Sequence, residues 1–169
     1  MYETPQEIEA LQRLLDESAA HAGPHLRDII TDDRRLSAVE MCEMLEGMRL
    51  LVVATVTADA RPLVGLVDGY LVHADFYFSS GHDSVRMRHL AKRPAVSFTH
   101  LPGEELAITV HGRAELFDIM GDEHPELRLA MLEYYLPKQG PAFEEWLNGS
   151  QSIGARVQAE KIFTFRLGE

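Results

Sequence analysis

Basic side chains are concentrated in one short stretch of an otherwise acidic chain. The 169 residues carry a formal net charge of −11, yet the stretch from Phe76 to His100 holds four Lys or Arg residues and a single acid. The four are Arg86, Arg88, Lys92 and Arg93, and they follow the small polar segment Ser79–Ser84. A strand, a polar loop and the start of a helix, in that order, present free backbone amides and hydroxyls to an anion.

Arg86 and the neighbouring serines suit a phosphomonoester. Arg86 lies two residues into the predicted helix and can bind phosphate through two parallel N–H bonds. The helix N-terminus adds roughly 0.3 to 1 kcal/mol for an exposed anion, and the serine hydroxyls supply further donors. The same basic residues could equally form a solvated helix face with Ser84 as its N-cap, and residue types alone do not decide between the two.

Other reactive side chains show no recognisable arrangement. Cys42 is the only cysteine, which excludes an intrachain disulfide and predicts a small buried residue. His82 and His89 lie seven residues apart with no carboxylate in register, and structural zinc normally uses several cysteines, so we predict no metal site. No nucleophile-elbow sequence supports a serine hydrolase, and no catalytic residue is identified.

The overall charge and hydropathy exclude several classes of protein. A net charge of −11 argues against binding to nucleic acid and to anionic membrane surfaces. No apolar run approaches the roughly 20 residues that span a bilayer. The first residues are acidic and lack the pattern of a signal peptide. We therefore expect a cytoplasmic protein with no nucleic-acid or membrane partner.

Hydrophobic periodicity predicts helices at both ends of a strand-rich middle. Two capping boxes, Thr4–Glu7 and Ser37–Glu40, predict helices that end near Ala22 and Gly47. Further helices are predicted over Ser84–Lys92, Leu127–Leu136 (closed by Pro137) and Pro141–Leu147. The predicted strands are Leu50–Thr57, Pro62–Val72, Phe76–Phe78, Ala95–Leu101, Leu106–Asp118 and Arg156–Leu167, with a bulge or close approach at Gly112.

These elements predict a mainly β protein with helices, and the closely spaced antiparallel strands suggest a closed or partly closed barrel. Pattern alone does not distinguish a barrel from a sandwich with helical cover. We predict that residues 1–36 form an N-terminal helical extension and that residues 37–169 form the barrel domain. The Leu50–Thr57 and Pro62–Val72 strands are joined by a hairpin turn at Ala58–Arg61.

Several segments together resemble the pyridoxamine 5'-phosphate oxidase-like family of flavin- and deazaflavin-binding split barrels. They are Leu51–Pro62, Phe76–Ser80, Ser84–Ser97, Val110–Ala114 and Ala155–Phe165. The resemblance covers about 100 residues, and the order and spacing of the motifs are more specific than any one motif. It implies a six-stranded Greek-key split barrel, a homodimer, and flavin mononucleotide (FMN) at the subunit interface.

The resemblance also implies a set of cofactor-binding residues. Counting back from Pro94, Arg86 falls at the family's phosphate-binding basic residue and Ser84 at the serine near it. Ser79 and Ser80 fall at a strand end that touches the phosphate and ribityl chain. The strand residues that border the flavin ring are Leu66, Val67 and Asp68, and Arg61 is a further candidate near the phosphate.

The chain departs from the vitamin-salvage oxidase itself. It lacks the pair of arginine and histidine, one residue apart, that the oxidase carries near its C-terminus, and it has no basic residue around Leu66–Asp68 where the oxidase has lysine. We therefore expect an FMN-dependent oxidoreductase acting on a small conjugated substrate rather than on pyridoxamine phosphate. The alternatives are a deazaflavin-dependent reductase and a non-catalytic protein that binds flavin or haem. The iron of a haem could be bound by His73, His82, His89 or His111.

Overall fold

The computed structural model describes residues 1–167 and consists of a six-stranded barrel with six α-helices around it. Gly168 and Glu169, which the predicted barrel domain includes, lie outside the described residues. The strands are β1 (Arg49–Val56), β2 (Pro62–Val72), β3 (Asp75–Gly81), β4 (Ala95–Gly103), β5 (Leu106–Asp118) and β6 (Ser152–Arg166). The helices are α1 (Pro5–Ala20), α2 (Pro24–Ile29), α3 (Ala38–Met44), α4 (Val85–Lys92), α5 (Pro125–Gln139) and α6 (Pro141–Gly149), with a 3-10 turn at Asp32–Arg34.

The strands close into an antiparallel barrel in the order β1-β2-β3-β6-β5-β4. The predicted fold class is therefore confirmed. The barrel closes where Val52, Val53 and Ala54 of β1 pair with β4. At Gly112 of β5 the register shifts, and a Cβ atom there would lie 2.1 Å from the Gln158 carbonyl oxygen. This confirms the bulge and close approach predicted at that glycine.

Two apolar clusters hold the barrel and its helices together. Side chains that alternate along the strands fill the barrel interior, and Leu11 and Leu15 of α1 join this cluster from outside. A second cluster lies between the outer face of β2, β3 and β5 and the helices α5 and α6. The helical extension thus packs directly on the barrel domain.

Both predicted capping boxes are present. Thr4 caps α1 and Ser37 caps α3, each paired with a glutamate three residues later. Helix α3 is shorter than predicted and ends at Met44. Val39 and Met44 lie on its exposed side, each 42% exposed. Pro137 does not close its helix, because α5 continues through it to Gln139. No helix of residues 1–167 is long and apolar enough to cross a membrane.

Candidate functional site

The guanidinium group of Arg86 lies against the backbone of Gly65 at one end of the barrel. A Cβ atom built on Gly65 would lie 2.5 Å from Nη2 of Arg86. Arg86 is half-buried, and burial lowers the pKa of its guanidinium. Within residues 1–167 no acid or carbonyl pairs with this side chain. Removing a cation from water without a counter-ion costs free energy, which an incoming anion would offset.

One face of α4 is turned toward the hairpin formed by β1 and β2. Nδ1 of His89 lies 3.1 Å from the hydroxyl oxygen of Thr55, and Nε of Arg93 donates a hydrogen bond of 2.9 Å to the Val56 carbonyl. Arg86, His89 and Arg93 share this face because residues three and seven positions apart lie on one side of a helix. The half-buried positive charges of the segment therefore lie beside the hairpin.

The other two basic residues of the segment point elsewhere. Arg88 donates to the Asp83 carbonyl, and Lys92 is exposed. Arg88 and Lys92 therefore agree with the alternative interpretation of the basic segment, in which its residues form a solvated helix face. The basic segment therefore divides into a solvent-facing pair and a pair directed at the barrel.

Ser84 is the N-cap of α4. Its hydroxyl oxygen accepts a 3.3 Å hydrogen bond from the Met87 amide. The hydroxyl hydrogen of Ser84 remains able to donate to a ligand. Capping and anion binding are therefore compatible at this position.

Ser79 and Ser80 lie near the end of β3, opposite Gly154 and Ile153 of β6. Ser80 lies on the same side of the strand as Phe78, a residue of the barrel interior. Ser79 lies on the opposite side with Tyr77, which belongs to the α5–α6 cluster. Gly65, which Arg86 contacts, pairs with the interior residue Val53, so the Arg86 contact and Ser80 lie on the inner side of the barrel wall and Ser79 lies on the outer side.

The three predicted residues of β2 point in alternating directions. Val67 is buried in the barrel interior, whereas the side chain of Leu66 is 63% exposed on the outer face. Asp68 also faces outward, and its carboxylate accepts a 2.5 Å hydrogen bond from the hydroxyl of Tyr135 on α5. Burial, followed by this hydrogen bond, raises the pKa of Tyr135. Only the backbone of Val67 is available to a ligand on the outer face.

Arg61 lies at the hairpin turn rather than against the barrel. Its Nε atom forms a 2.8 Å ion pair with Asp59, and both side chains are more than half exposed. The charge of Arg61 is therefore already paired, which distinguishes it from Arg86.

The sequence analysis missed Gly65 and the contact of Tyr135 with Asp68 as parts of this arrangement. A glycine inside a strand is a signal of close approach, and Gly65 carries that signal. Tyr135 gives no local signal, because its contact with Asp68 joins residues 67 positions apart.

The histidines considered as haem ligands are dispersed. Nδ1 of His111 lies 2.7 Å from the Ser97 hydroxyl oxygen, and Nδ1 of His73 lies 3.6 Å from a carboxylate oxygen of Glu7. The backbone amide of His82 donates to the Gln151 carbonyl, and His89 contacts Thr55 as described above. In the part of the chain that the structure describes, no three His, Cys, Asp or Glu side chains converge as metal ligands.

A separate cavity of about 250 Å³ lies between α1, α2 and β6. Leu15, Leu26 and Phe163 are among the residues that line it, and none of the predicted cofactor-binding residues does. The cavity is therefore distinct from the Arg86 site.

Residues 39–159 match the family model described as pyridoxamine 5'-phosphate oxidase, and this match spans α4 and the first five strands. The chain belongs to the pyridoxamine 5'-phosphate oxidase-like family. Membership confirms the resemblance seen in the sequence. No curated protein matches this chain.

Several solved structures share the fold at low sequence identity. A conserved hypothetical protein from Mycobacterium tuberculosis is 17% identical with a TM-score of 0.65, over 80% of this chain and 88% of that one. The haem storage protein HutZ from Vibrio cholerae is 19% identical with a TM-score of 0.63, over 75% and 93%. A FAD-binding protein from Mesorhizobium loti is 21% identical with a TM-score of 0.59, over 80% and 97%.

Proposed function

We propose that this protein is a flavin-dependent oxidoreductase that binds FMN with its phosphate at Arg86. The observation that carries the proposal is the half-buried guanidinium of Arg86, which lies on Gly65 with no counter-ion among residues 1–167. An acidic chain that keeps such a cation at the end of its barrel is suited to an anionic ligand. The family supports a flavin as the bearer of that anion.

The residues around Arg86 divide the binding of this cofactor between them. Arg86 binds the phosphate, while Ser84 and Ser80 donate hydrogen bonds from the helix start and the strand end. The backbone from Leu66 to Asp68 borders the ring, and Tyr135 fixes the Asp68 carboxylate. The flavin supplies hydride transfer to or from a small conjugated substrate, and the protein orients the ring and shields it.

The outer face of the barrel supports the proposed homodimer. Four apolar side chains on β1, β2 and β4 are more than half exposed: Leu50, Val64, Leu66 and Leu101. Strand register places Val52 between Leu66 of β2 and Thr99 of β4, and Ala54 beside Val64. Leu50 and Leu101 lie two residues further along the same face of β1 and β4, so the exposed side chains belong to one face of the barrel. An apolar patch of this kind is typical of a protein–protein interface. We propose that a second copy of the chain covers this patch, because Leu66 belongs both to the patch and to the predicted ring site.

A comparison of FMN with riboflavin tests the proposed phosphate site. We expect the purified protein to bind FMN about ten- to a hundredfold more tightly than riboflavin, since riboflavin lacks the phosphate. Arg86→Gln should abolish this preference, while Arg88→Gln, which changes the same charge on the solvent side, should keep it. Equal binding of FMN and riboflavin by the unaltered protein would refute the role of Arg86.

The visible spectrum separates the catalytic proposal from its alternatives. A bound flavin that bleaches with a nicotinamide reductant under anaerobic conditions supports an oxidoreductase. A bound flavin that no reductant or substrate bleaches supports a storage or sensing protein. A Soret band would indicate bound haem, the ligand named in the description of the Vibrio cholerae protein HutZ.

A further inference from the structure

The cavity between α1, α2 and β6 is separate from the Arg86 site, and the proposed function makes no use of it. Its volume of about 250 Å³ corresponds to roughly eight water molecules, since each takes about 30 Å³ in the liquid. Leu15, Leu36 and Ile162 line its inner wall and are buried in the apolar core. Leu26 and Phe163, which are partly exposed, continue this apolar surface toward solvent. The cavity therefore has an apolar interior large enough for a small ligand.

The polar atoms of the inner wall already have partners within the protein. The hydroxyl oxygen of Thr164 accepts a 2.9 Å hydrogen bond from the Leu36 amide. The side-chain oxygen of Gln12 accepts a 2.8 Å hydrogen bond from the Ala38 amide, and its side-chain nitrogen donates to Asp16 at 3.1 Å. An ordered buried water typically makes about three hydrogen bonds to groups that otherwise lack partners. The inner wall therefore suits an apolar group better than it suits ordered water.

Helix α2 forms the outer wall of the cavity and is loosely packed. None of its six residues is buried, and Leu26 and the following Ile30 are only partly covered where they line the cavity. A second hollow of about 220 Å³ adjoins the same two side chains on the side of β5. An apolar ligand in the cavity would extend the burial of Leu26 and Ile30, which favours binding.

Two arginines at the rim of the cavity offer hydrogen-bond donors to an anion. One Nη group of Arg35 forms a 2.5 Å ion pair with Asp32, whose carboxylate is 94% exposed and therefore lies on the solvent side. The remaining N–H groups of Arg35 have no hydrogen-bond partner among residues 1–167. Arg27 also lines the cavity, and within the same residues its guanidinium pairs with no acid. A carboxylate at the rim could therefore accept from Arg35 without displacing an existing contact.

The acids at the rim are less available to a ligand than the arginines are. One carboxylate oxygen of Glu40 accepts hydrogen bonds of 2.8 Å from the amide and the hydroxyl of Ser37. The other oxygen of Glu40 forms a 2.7 Å ion pair with Arg166. Asp32 is bound by Arg35, which leaves Asp16 as the lining acid that no cation pairs with among residues 1–167. The rim therefore favours an anionic head group over a cationic one.

We propose that this cavity binds a small monocarboxylate whose apolar body has about eight to ten non-hydrogen atoms, the size that the cavity volume allows. The apolar body lies against Leu15, Ile162 and Phe163. Arg35 donates hydrogen bonds to the carboxylate at the rim, and α2 covers the ligand from outside. A gap left by loose packing of α2 would show no preference for one head group and no dependence on Arg35.

Titration calorimetry of the full chain with octanoate, octanol and octylamine tests the head group, since the three share one alkyl chain. We expect octanoate to bind about tenfold more tightly than octanol, as one charge-assisted contact would give, and octylamine to bind no more tightly than octanol. Arg35→Gln should remove the advantage of octanoate and leave the affinity for octanol unchanged. Arg13→Gln, an equal change of charge at an exposed position of α1 outside the cavity, should preserve it.

Substitutions that fill the cavity test its location. Ala19→Phe places a ring in the cavity and should abolish the binding of octanoate and octanol. Ala20→Phe is the matched control, because Ala20 is the next residue of α1 but is exposed and does not line the cavity. Ala22→Phe fills the cavity from beyond the end of α1 and replaces Ala19→Phe if urea unfolding shows that the latter does not fold.

Each contrary result overturns the proposal. Octanoate binding that survives in a folded cavity-filling variant would place the ligand elsewhere on the protein. Octanol or octylamine that binds as tightly as octanoate would refute the carboxylate, as would an Arg35→Gln variant that keeps the preference. Failure of octanoate to bind the parent protein would refute the site itself. None of these results alters the test of Arg86, which depends on FMN and riboflavin.

Discussion

Arg86 occupies the space that a side chain at Gly65 would need. The Cβ position of Gly65 lies 2.5 Å from Nη2 of Arg86, closer than two such atoms can approach. The contact joins the start of α4 to the middle of β2, the two elements to which the family resemblance assigns the phosphate and the ring. Gly65 therefore sets the position of the guanidinium group.

Gly65→Ala should weaken flavin binding while leaving the fold intact. The new methyl group would meet the end of a flexible side chain, so Arg86 can move away at small cost and the barrel need not change. We expect FMN affinity to fall about tenfold, since one charge-assisted contact is displaced. Fluorescence titration measures the loss, and Gly149→Ala, which has nothing within 4 Å of its Cβ position, is the matched control. In the Gly65→Ala/Arg86→Gln double variant the two losses should not add.

Arg86→Met should leave the cofactor-free protein as stable as the parent, or slightly more stable. The guanidinium is half-buried without a partner in the described chain, so its removal relieves a desolvation cost. The control is Arg156→Met, because Arg156 donates to Asp75 at 2.8 Å and to Glu115 at 3.4 Å. We expect the control to lose about 1–3 kcal/mol in the free energy of unfolding by urea. An equal loss in both variants would show that Arg86 serves the fold.

Local signals predicted most of this structure. The capping boxes at Thr4 and Ser37, the β-branched runs and the bulge at Gly112 all depend on a few adjacent residues, which a sequence displays directly. The end of α5 was less accessible, because Pro137 does not end the helix, which continues through exposed residues to Gln139.

The candidate site was only partly accessible from the sequence. The helix start at Ser84 and the charge of Arg86 are local features that allowed an anion site, and the family resemblance, counted back from Pro94, favoured it over a solvated face. The Tyr135–Asp68 hydrogen bond and the Arg86–Gly65 contact join separate elements, and only the folded barrel brings them together. The ion pair that Arg61 forms with Asp59 is likewise a product of the hairpin geometry.

The attachment of α5 to the barrel should weaken in acid. Glu126 accepts a 2.7 Å hydrogen bond from the Tyr77 hydroxyl and lies 3.0 Å from Nδ1 of His124. Burial alone would raise the pKa of Glu126, but hydrogen bonds from its own backbone, Tyr77 and His124 lower it. A lowered native pKa gives stability that is present above the unfolded value near 4.5 and is lost as the pH falls through the native value.

Urea unfolding between pH 7 and pH 3 measures this effect. Glu126→Gln should flatten the acid part of the profile, and the variant and the parent should converge in stability at low pH. Tyr77→Phe should cost about 1–2 kcal/mol at pH 7, because it removes a hydrogen bond to a charged acceptor. Parallel pH profiles for Glu126→Gln and the parent would show that the Tyr77–Glu126 contact carries no proton-linked stability.

The exposed apolar patch on β1, β2 and β4 should control the oligomeric state. Val64 is 61% exposed on β2, so Val64→Glu places a charge on the patch without disturbing the barrel interior. Burying that charge between two copies would cost more than the apolar contact contributes, and we expect the dimer to dissociate. Light scattering should then report a mass near 19.0 kDa, against about twice that for the parent. Leu129→Glu is the control, since Leu129 on α5 is equally exposed at 64% but lies away from the patch. A parent that is already monomeric, or a Val64→Glu variant that remains dimeric, would exclude this face as the interface.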